Sequence, residues 1–283
     1  MKKLLRYLWL VITPFLAAET IMLITVSVFQ IIFQGMVAVR IGITQGAGQL
    51  RDAEKLSQAA ERLMSREMAY LISVAAVLIC GIIFYFWYQR DTAGYEKRPL
   101  VSVASLKNLY QFVMLGIGCQ LFFSGVMNLV RPAFPEQFEN YGETMRGIFG
   151  ANILLVFIYT TVIAPVSEEL IFRGVILFRA RKVLPYVGAN LLQALFFGIY
   201  HGNIIQGIYA AVTGFLLGLL NRKYRSIYAS ILVHIMINAS VVVVTLFPET
   251  MAGYTVMTVI GAGASALIFL RLRLWKEIGG IHC

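Results

Sequence analysis

The chain has 283 residues, of which 59% are apolar and only 13% charged, and its net charge is +10. A soluble domain carries roughly 25% charged residues, so a chain with half that share cannot cover a water-facing surface and must be covered by lipid. The positive balance does not point to nucleic acid, because the basic residues sit in short loops between apolar runs, where they set membrane topology.

In chain order the apolar runs fall at 5–33, 68–88, 108–130, 147–166, 183–201, 204–220, 227–247 and 252–270. Each is near the length of about 20 residues that crosses a bilayer. In lipid a segment must satisfy its own backbone, so each run is predicted to be a helix. The expected fold is all-α: a polytopic transmembrane bundle of about eight helices. The first run follows Met1-Lys2-Lys3 and is too long for the apolar core of a signal peptide, so a retained first helix is expected. A long polar loop follows at 34–67. Within it Leu50 to Arg66 carries mixed charges with spaced Leu and Ala, which fits either an amphipathic surface helix or a solvated loop.

With the N-terminus placed in the cytoplasm, 17 of the 24 basic residues fall in inner segments. The other seven are Arg40, Arg51, Lys55, Arg62, Arg66, Arg131 and Arg146. The positive-inside rule therefore predicts both termini inside. Cys80 and Cys119 lie in apolar runs and read as small core residues, and Cys283 lacks the three residues that follow the cysteine of a prenylation box. No disulfide or metal spacing is present.

Ionisable groups at membrane depth are candidate functional residues. Glu19, Glu168 and Glu169 are the acids within or beside apolar runs, and His201 and His234 are two of only three histidines. In Ala164-Pro165-Val166-Ser167-Glu168-Glu169, Pro165 predicts a helix break and Ser167 a cap for a new helix. Glu169 and Arg173 are four apart on that helix and pair in the favourable order. Glu168 is turned about 100° away and loses that partner. Burial would raise its pKa towards the range of a general base. Further on, Phe197 shares a helix face with His201, and His234 shares one with Asn238. Two imidazoles and an amide are suited to hold a water or hydrogen-bond an oxyanion. Alone, each piece has a structural explanation; together on three neighbouring helices they predict one shared site. Glu19 stands apart in the first run, open to a bundle contact, an inter-helix pair or substrate.

The pattern Glu168-Glu169-x-x-x-Arg173, Phe197-x-x-x-His201 and His234-x-x-x-Asn238 resembles the three motifs of the CAAX protease and bacteriocin-processing enzyme family, the intramembrane glutamic endopeptidases also called the Abi family. The resemblance spans about Ala164 to Ser240. It implies a division into N-terminal transmembrane helices at 1–140, a core protease domain at 141–270 and a short basic cytoplasmic tail at 271–283. It implies catalysis by Glu168, as the base that activates water, with His201 holding that water and His234 and Asn238 stabilising the oxyanion. Glu169 and Arg173 would shape the site, and Phe197 would pack. No cofactor is implied; the partners are a peptide or membrane-protein substrate and the lipid bilayer of, by the short loops, a bacterial cell. The site would open to the cytoplasm or sideways to lipid, with Glu168 near an inner boundary. Three other readings compete: a zinc-dependent hydrolase, although His-Glu-x-x-His is missing; a non-catalytic immunity or scaffold protein; and a transporter, for which no inverted repeat is seen.

Overall fold

A computed structural model describes residues 2–45, 58, 66–149 and 152–279. The main helices are α1 (Lys2–Gln45), α2 (Arg66–Asp91), α3 (Leu106–Val130), α4 (Pro135–Phe149), α5 (Ile153–Ala180), α6 (Tyr186–Tyr200), α7 (Ile204–Tyr224), α8 (Ile227–Val244) and α9 (Met251–Arg271). No strand occurs among the described residues. Seven of these helices, all but α4 and α6, are long and apolar enough to cross a membrane. The protein is a multi-pass helical membrane bundle, as the composition requires. The surface helix expected at 50–66 lies, apart from positions 58 and 66, outside the described residues.

The fold departs from the expected eight equal spans in the short helix α6. Its 15 residues rise about 22 Å, less than the roughly 30 Å of hydrocarbon. It turns at Gly202, whose φ of +65° is a left-handed conformation that glycine adopts without strain. Asn203 then caps α7 by accepting from the backbone N–H groups of Ile205 and Gln206. The hairpin closes tightly because a Cβ on Gly198 would meet the Gly207 carbonyl at 2.6 Å. Buried Asn190 and Gln193 donate from α6 to the Phe215 and Gly214 carbonyls of α7.

One end of the bundle gathers the C-terminal ends of α2, α5, α7 and α9. There Arg179 pairs with Asp91, Arg222 with Glu277 at 3.3 Å, and the Ser226 hydroxyl donates to the Arg98 carbonyl. Val11, near the start of α1, packs with Leu177, Ala180 and Ala189 at the same end. The α6–α7 hairpin starts and finishes there, so its depth does not alter the parity of the chain. Arg181 and Arg222 lie over the Tyr186 ring and Arg179 over Trp87, an aromatic and cationic fringe that suits a headgroup region. Cys80 and Cys119 are buried free thiols, as expected.

The break predicted at Pro165 is absent. α5 runs through it, with π-helical turns at Tyr159–Ile163 and Leu170–Ile176 on either side of the α-helical Ala164–Glu169. Wider turns make room for the proline ring within a continuous helix. Ser167 is consequently no cap; its hydroxyl donates to the Val77 carbonyl of α2 at 3.2 Å. Glu168 lies within the helix and not at its start. It stands 15 residues after Ile153 in a 28-residue helix, about 22 Å from the start by helical rise. The polar connection between α3 and α5 holds the amphipathic helix α4, which the apolar runs did not reveal.

Candidate active site

At mid-depth of α5 two adjacent carboxylates point into different surroundings. Glu169 and Arg173 have fully buried side chains, and Arg173 Nη1 donates to Glu169 Oε1 at 2.7 Å. This is the i, i+4 pair expected from the sequence. Room for the guanidinium comes from α7, where a Cβ on Gly214 would lie 3.0 Å from Arg173 Nη2. The Phe197 ring of α6 covers the guanidinium, with 4.5 Å from Arg173 Cζ to the ring centre. Burying two charges is tolerated only when they are paired and hydrogen-bonded.

His234 of α8 completes the arrangement. Its Nδ1 lies 2.9 Å from Glu169 Oε1, the same oxygen that Arg173 holds. Its other nitrogen, Nε2, faces Glu168 Oε2 at 3.6 Å. One imidazole is thereby set between the paired carboxylate and the unpaired one. A carboxylate engaged by Arg173 accepts, so Nδ1 of His234 carries hydrogen and donates. Its Nε2 then either offers a lone pair or, in the imidazolium, a second N–H towards Glu168.

His201 sits at the C-terminal end of the short helix α6. Its Nδ1 is 2.7 Å from the Phe197 carbonyl. A carbonyl only accepts, so Nδ1 carries the hydrogen and Nε2 keeps its lone pair when the ring is neutral. The Phe197 ring lies edge-on to His201 at 4.7 Å and to His234 at 5.7 Å between centroids. Phe197 is therefore the wall shared by both imidazoles and the guanidinium.

Asn238, one turn beyond His234, donates through Nδ2 to the Thr160 carbonyl at 2.7 Å. The local sequence explains why that carbonyl is open. In the π register the Ala164 N–H goes to the Tyr159 carbonyl, and the next bond would reach Thr160 from residue 165, which is proline and has no N–H. The proline that does not break α5 thus leaves an acceptor that orients Asn238. α5, α6 and α8 bring six of the seven motif residues into one chain of contacts, with Asn238 one turn beyond His234 and bonded to Thr160. Glu19 of α1 is exposed and outside it.

Sequence reasoning missed Thr160, which acts through its carbonyl, and Tyr200, whose ring lies 5.4 Å from Phe172 and 6.3 Å from His201. A backbone acceptor leaves no mark in a residue pattern beyond the proline five positions on. Tyr200 could have been noted as a polar-tipped aromatic beside His201. Buried Asn190 and Gln193, three apart in an apolar run, were likewise legible as a polar stripe.

Fold and site together define a multi-pass helical membrane protein in which buried Glu169, Arg173 and His234 meet a partly buried Glu168. Residues 150–240 match the family model described as Type II CAAX prenyl endopeptidase Rce1-like. Over 181 residues the chain is 29% identical to "Putative membrane peptidase YdiL" of Bacillus subtilis (strain 168), covering 63% of this chain and 71% of that protein. No solved structure matches. These similarities agree with the resemblance of the three motifs to the CAAX protease and bacteriocin-processing family and support a membrane protease.

Proposed function

We propose that the chain is an intramembrane glutamic endopeptidase that hydrolyses a peptide bond in a membrane-associated peptide or protein. The observation that carries this reading is the unequal pairing of two adjacent carboxylates. Glu169 is neutralised by Arg173 at 2.7 Å, while among the described residues the one ion-pair contact of Glu168 is with the Nε2 of His234, at 3.6 Å. A carboxylate without a fixed cation is the one suited to take a proton from water.

In this reading Glu168 accepts a proton from water, which attacks the scissile carbonyl. His201 holds the water through its Nε2 lone pair, since Nδ1–H is spent on the Phe197 carbonyl. The oxygen that gains charge is met by the remaining N–H of the Asn238 amide and by Nε2–H of His234 in its protonated form. Glu169 and Arg173 position His234, and Glu168 returns its proton to the leaving amine. The reaction uses no metal. The fringe rich in Arg and Lys faces the cytoplasm of a bacterial cell, which sets both termini inside.

The test is the membrane peptidome of cells making the wild type or Glu168→Gln. Fragments that vanish in Glu168→Gln while the protein stays folded and inserted support hydrolysis. Identical fragment sets, or full cellular function in Glu168→Gln, would end this reading.

A further inference from the structure

The face of α6 turned to α7 carries three polar side chains, Tyr186, Asn190 and Gln193. Spacings of four and three residues put them in one row. Each donates to a carbonyl of α7: Tyr186 to Gly218 at 2.6 Å, Asn190 to Phe215 at 2.9 Å and Gln193 to Gly214 at 2.9 Å. Gln193 Nε2 also donates to Asn190 Oδ1 at 2.7 Å. A carbonyl only accepts, so the Gly214 carbonyl fixes which end of the Gln193 amide is nitrogen. Both amide hydrogens are then spent, and Oε1 is left as an acceptor.

Gly214 is also where the Arg173 guanidinium lies. Arg173 Nη2 and the Ala194 Cα fall 3.0 and 3.3 Å from the point that a Gly214 Cβ would occupy. The guanidinium therefore stands beside the residue that follows Gln193. Arg173 spends Nη1 on Glu169 at 2.7 Å. Its Nε and Nη2, like Gln193 Oε1, are buried and have no hydrogen-bond partner among the described residues. Such groups are rare in folded proteins, because each carries the cost of desolvating a polar atom. Here the unmatched groups are two donors and one acceptor, beside the same glycine, and they are complementary.

We propose that Gln193 is a positioning residue that holds Arg173, and through it Glu169 and His234. Its Nε2 fixes the Gly214 backbone against which the guanidinium rests, and its Oε1 supplies the acceptor that the Nε–Nη2 edge lacks. Arg173 is thereby held from two helices, by Glu169 on α5 and by Gln193 on α6, while Phe197 covers its face at 4.5 Å. A guanidinium that cannot swing keeps Glu169 Oε1 where His234 Nδ1 meets it at 2.9 Å. That contact in turn aims His234 Nε2 at Glu168, 3.6 Å away.

This role rests on the hydrolytic reading, and the two are tested separately. The thermal midpoint of the purified protein in detergent is read for Gln193→Met and Tyr186→Phe, each in the wild type and in Arg173→Lys. Lysine keeps a charge beside Glu169 but has no guanidinium edge. Both side chains tie α6 to α7 through a carbonyl, so both changes should lower the midpoint of the wild type. In Arg173→Lys the drop caused by Gln193→Met should shrink to about half or less, while that of Tyr186→Phe stays the same. An equal drop from Gln193→Met in both backgrounds would show that Gln193 only joins the helices, and would overturn the proposal whether or not the protein is a hydrolase. Turnover is read on a synthetic peptide spanning a bond whose cleavage depends on Glu168. Gln193→Met should lower kcat about fivefold, part of the 10²-fold that a misplacement of about 1 Å costs. KM should hold, because Gln193 is buried and acts through Arg173, and Tyr186→Phe should leave kcat unchanged. An unchanged kcat in Gln193→Met, or a loss confined to KM, overturns the role. A wild type without any Glu168-dependent cleavage ends the hydrolytic reading, and the thermal comparison still decides whether Gln193 holds Arg173. If Gln193→Met does not accumulate, Gln193→Asn, one carbon shorter, takes its place in both measurements.

Discussion

Asn238 closes a hydrogen bond that Pro165 leaves open. The amide reaches 78 residues back in sequence to the Thr160 carbonyl, which lacks a backbone donor because residue 165 has no N–H. One amide hydrogen is spent there, and the other is held in a fixed direction. The bond ties α8 to α5 about two helical turns before the two glutamates.

Pro165→Ala supplies a backbone N–H that competes for the Thr160 carbonyl. Turnover should fall about tenfold, within the range that loosened positioning costs, while the thermal midpoint in detergent holds or rises, since an interior proline disfavours helix by about 3 kcal/mol. Asn238→Ala should cost roughly 10²–10³-fold in kcat as the loss of one oxyanion donor. Full activity in Asn238→Ala would remove that role.

Glu169 and Arg173 are predicted to hold the fold, and Glu168 to serve the chemistry. Glu169→Gln leaves a guanidinium whose side chain is fully buried without its counter-charge, a loss of about 3–5 kcal/mol. The variant should unfold at markedly lower temperature or fail to accumulate. Glu169→Gln combined with Arg173→Met removes both charges and should recover much of that stability without recovering turnover. Glu168→Gln, by contrast, should unfold at the wild-type midpoint. A Glu169→Gln protein as stable as the wild type would contradict the pairing.

Parts of this site were legible because they are local. Four-residue spacing on a helix is enough to foresee the Glu169–Arg173 pair and the shared faces of Phe197 with His201 and His234 with Asn238. The contact between His234 and Glu169 spans 65 residues and depends on the crossing of α5 and α8, which no local period encodes. Pro165 misled because its usual effect assumes an isolated helix. Here the freed carbonyl is satisfied by a neighbouring helix, and π turns absorb the ring. The apolar run 183–201 also concealed that α6 is only 15 residues long and ends at His201.

Gly214 predicts a steric test of the guanidinium pocket. A Cβ there would lie 3.0 Å from both Arg173 Nη2 and Phe197 Cδ1, and 3.3 Å from the Ala194 Cα. Gly214→Ala must displace the Arg173 head or the Phe197 ring, and through Phe197 it moves both imidazoles. Activity should drop by a few-fold, because a shift of a few tenths of an ångström is a fraction of the roughly 1 Å misplacement that costs up to 10²-fold. Gly263→Ala adds the same carbon where nothing lies within 4 Å and should leave the rate unchanged. Equal activity in the two variants would show that the pocket yields without cost.

Metal dependence separates the two hydrolytic chemistries that the motif residues allow. Catalytic zinc is held by three protein ligands and a water. Among the described residues no three His, Cys, Asp or Glu side chains converge for such a site, and the Nδ1 of His234 is committed to Glu169 at 2.9 Å. Turning that nitrogen to a metal would strip Glu169 of one of its two donors. Purified protein dialysed against a strong chelator should therefore keep its turnover, and added zinc should not raise it. Loss of activity on chelation with recovery by zinc alone would replace the glutamate-activated water with a zinc-bound one.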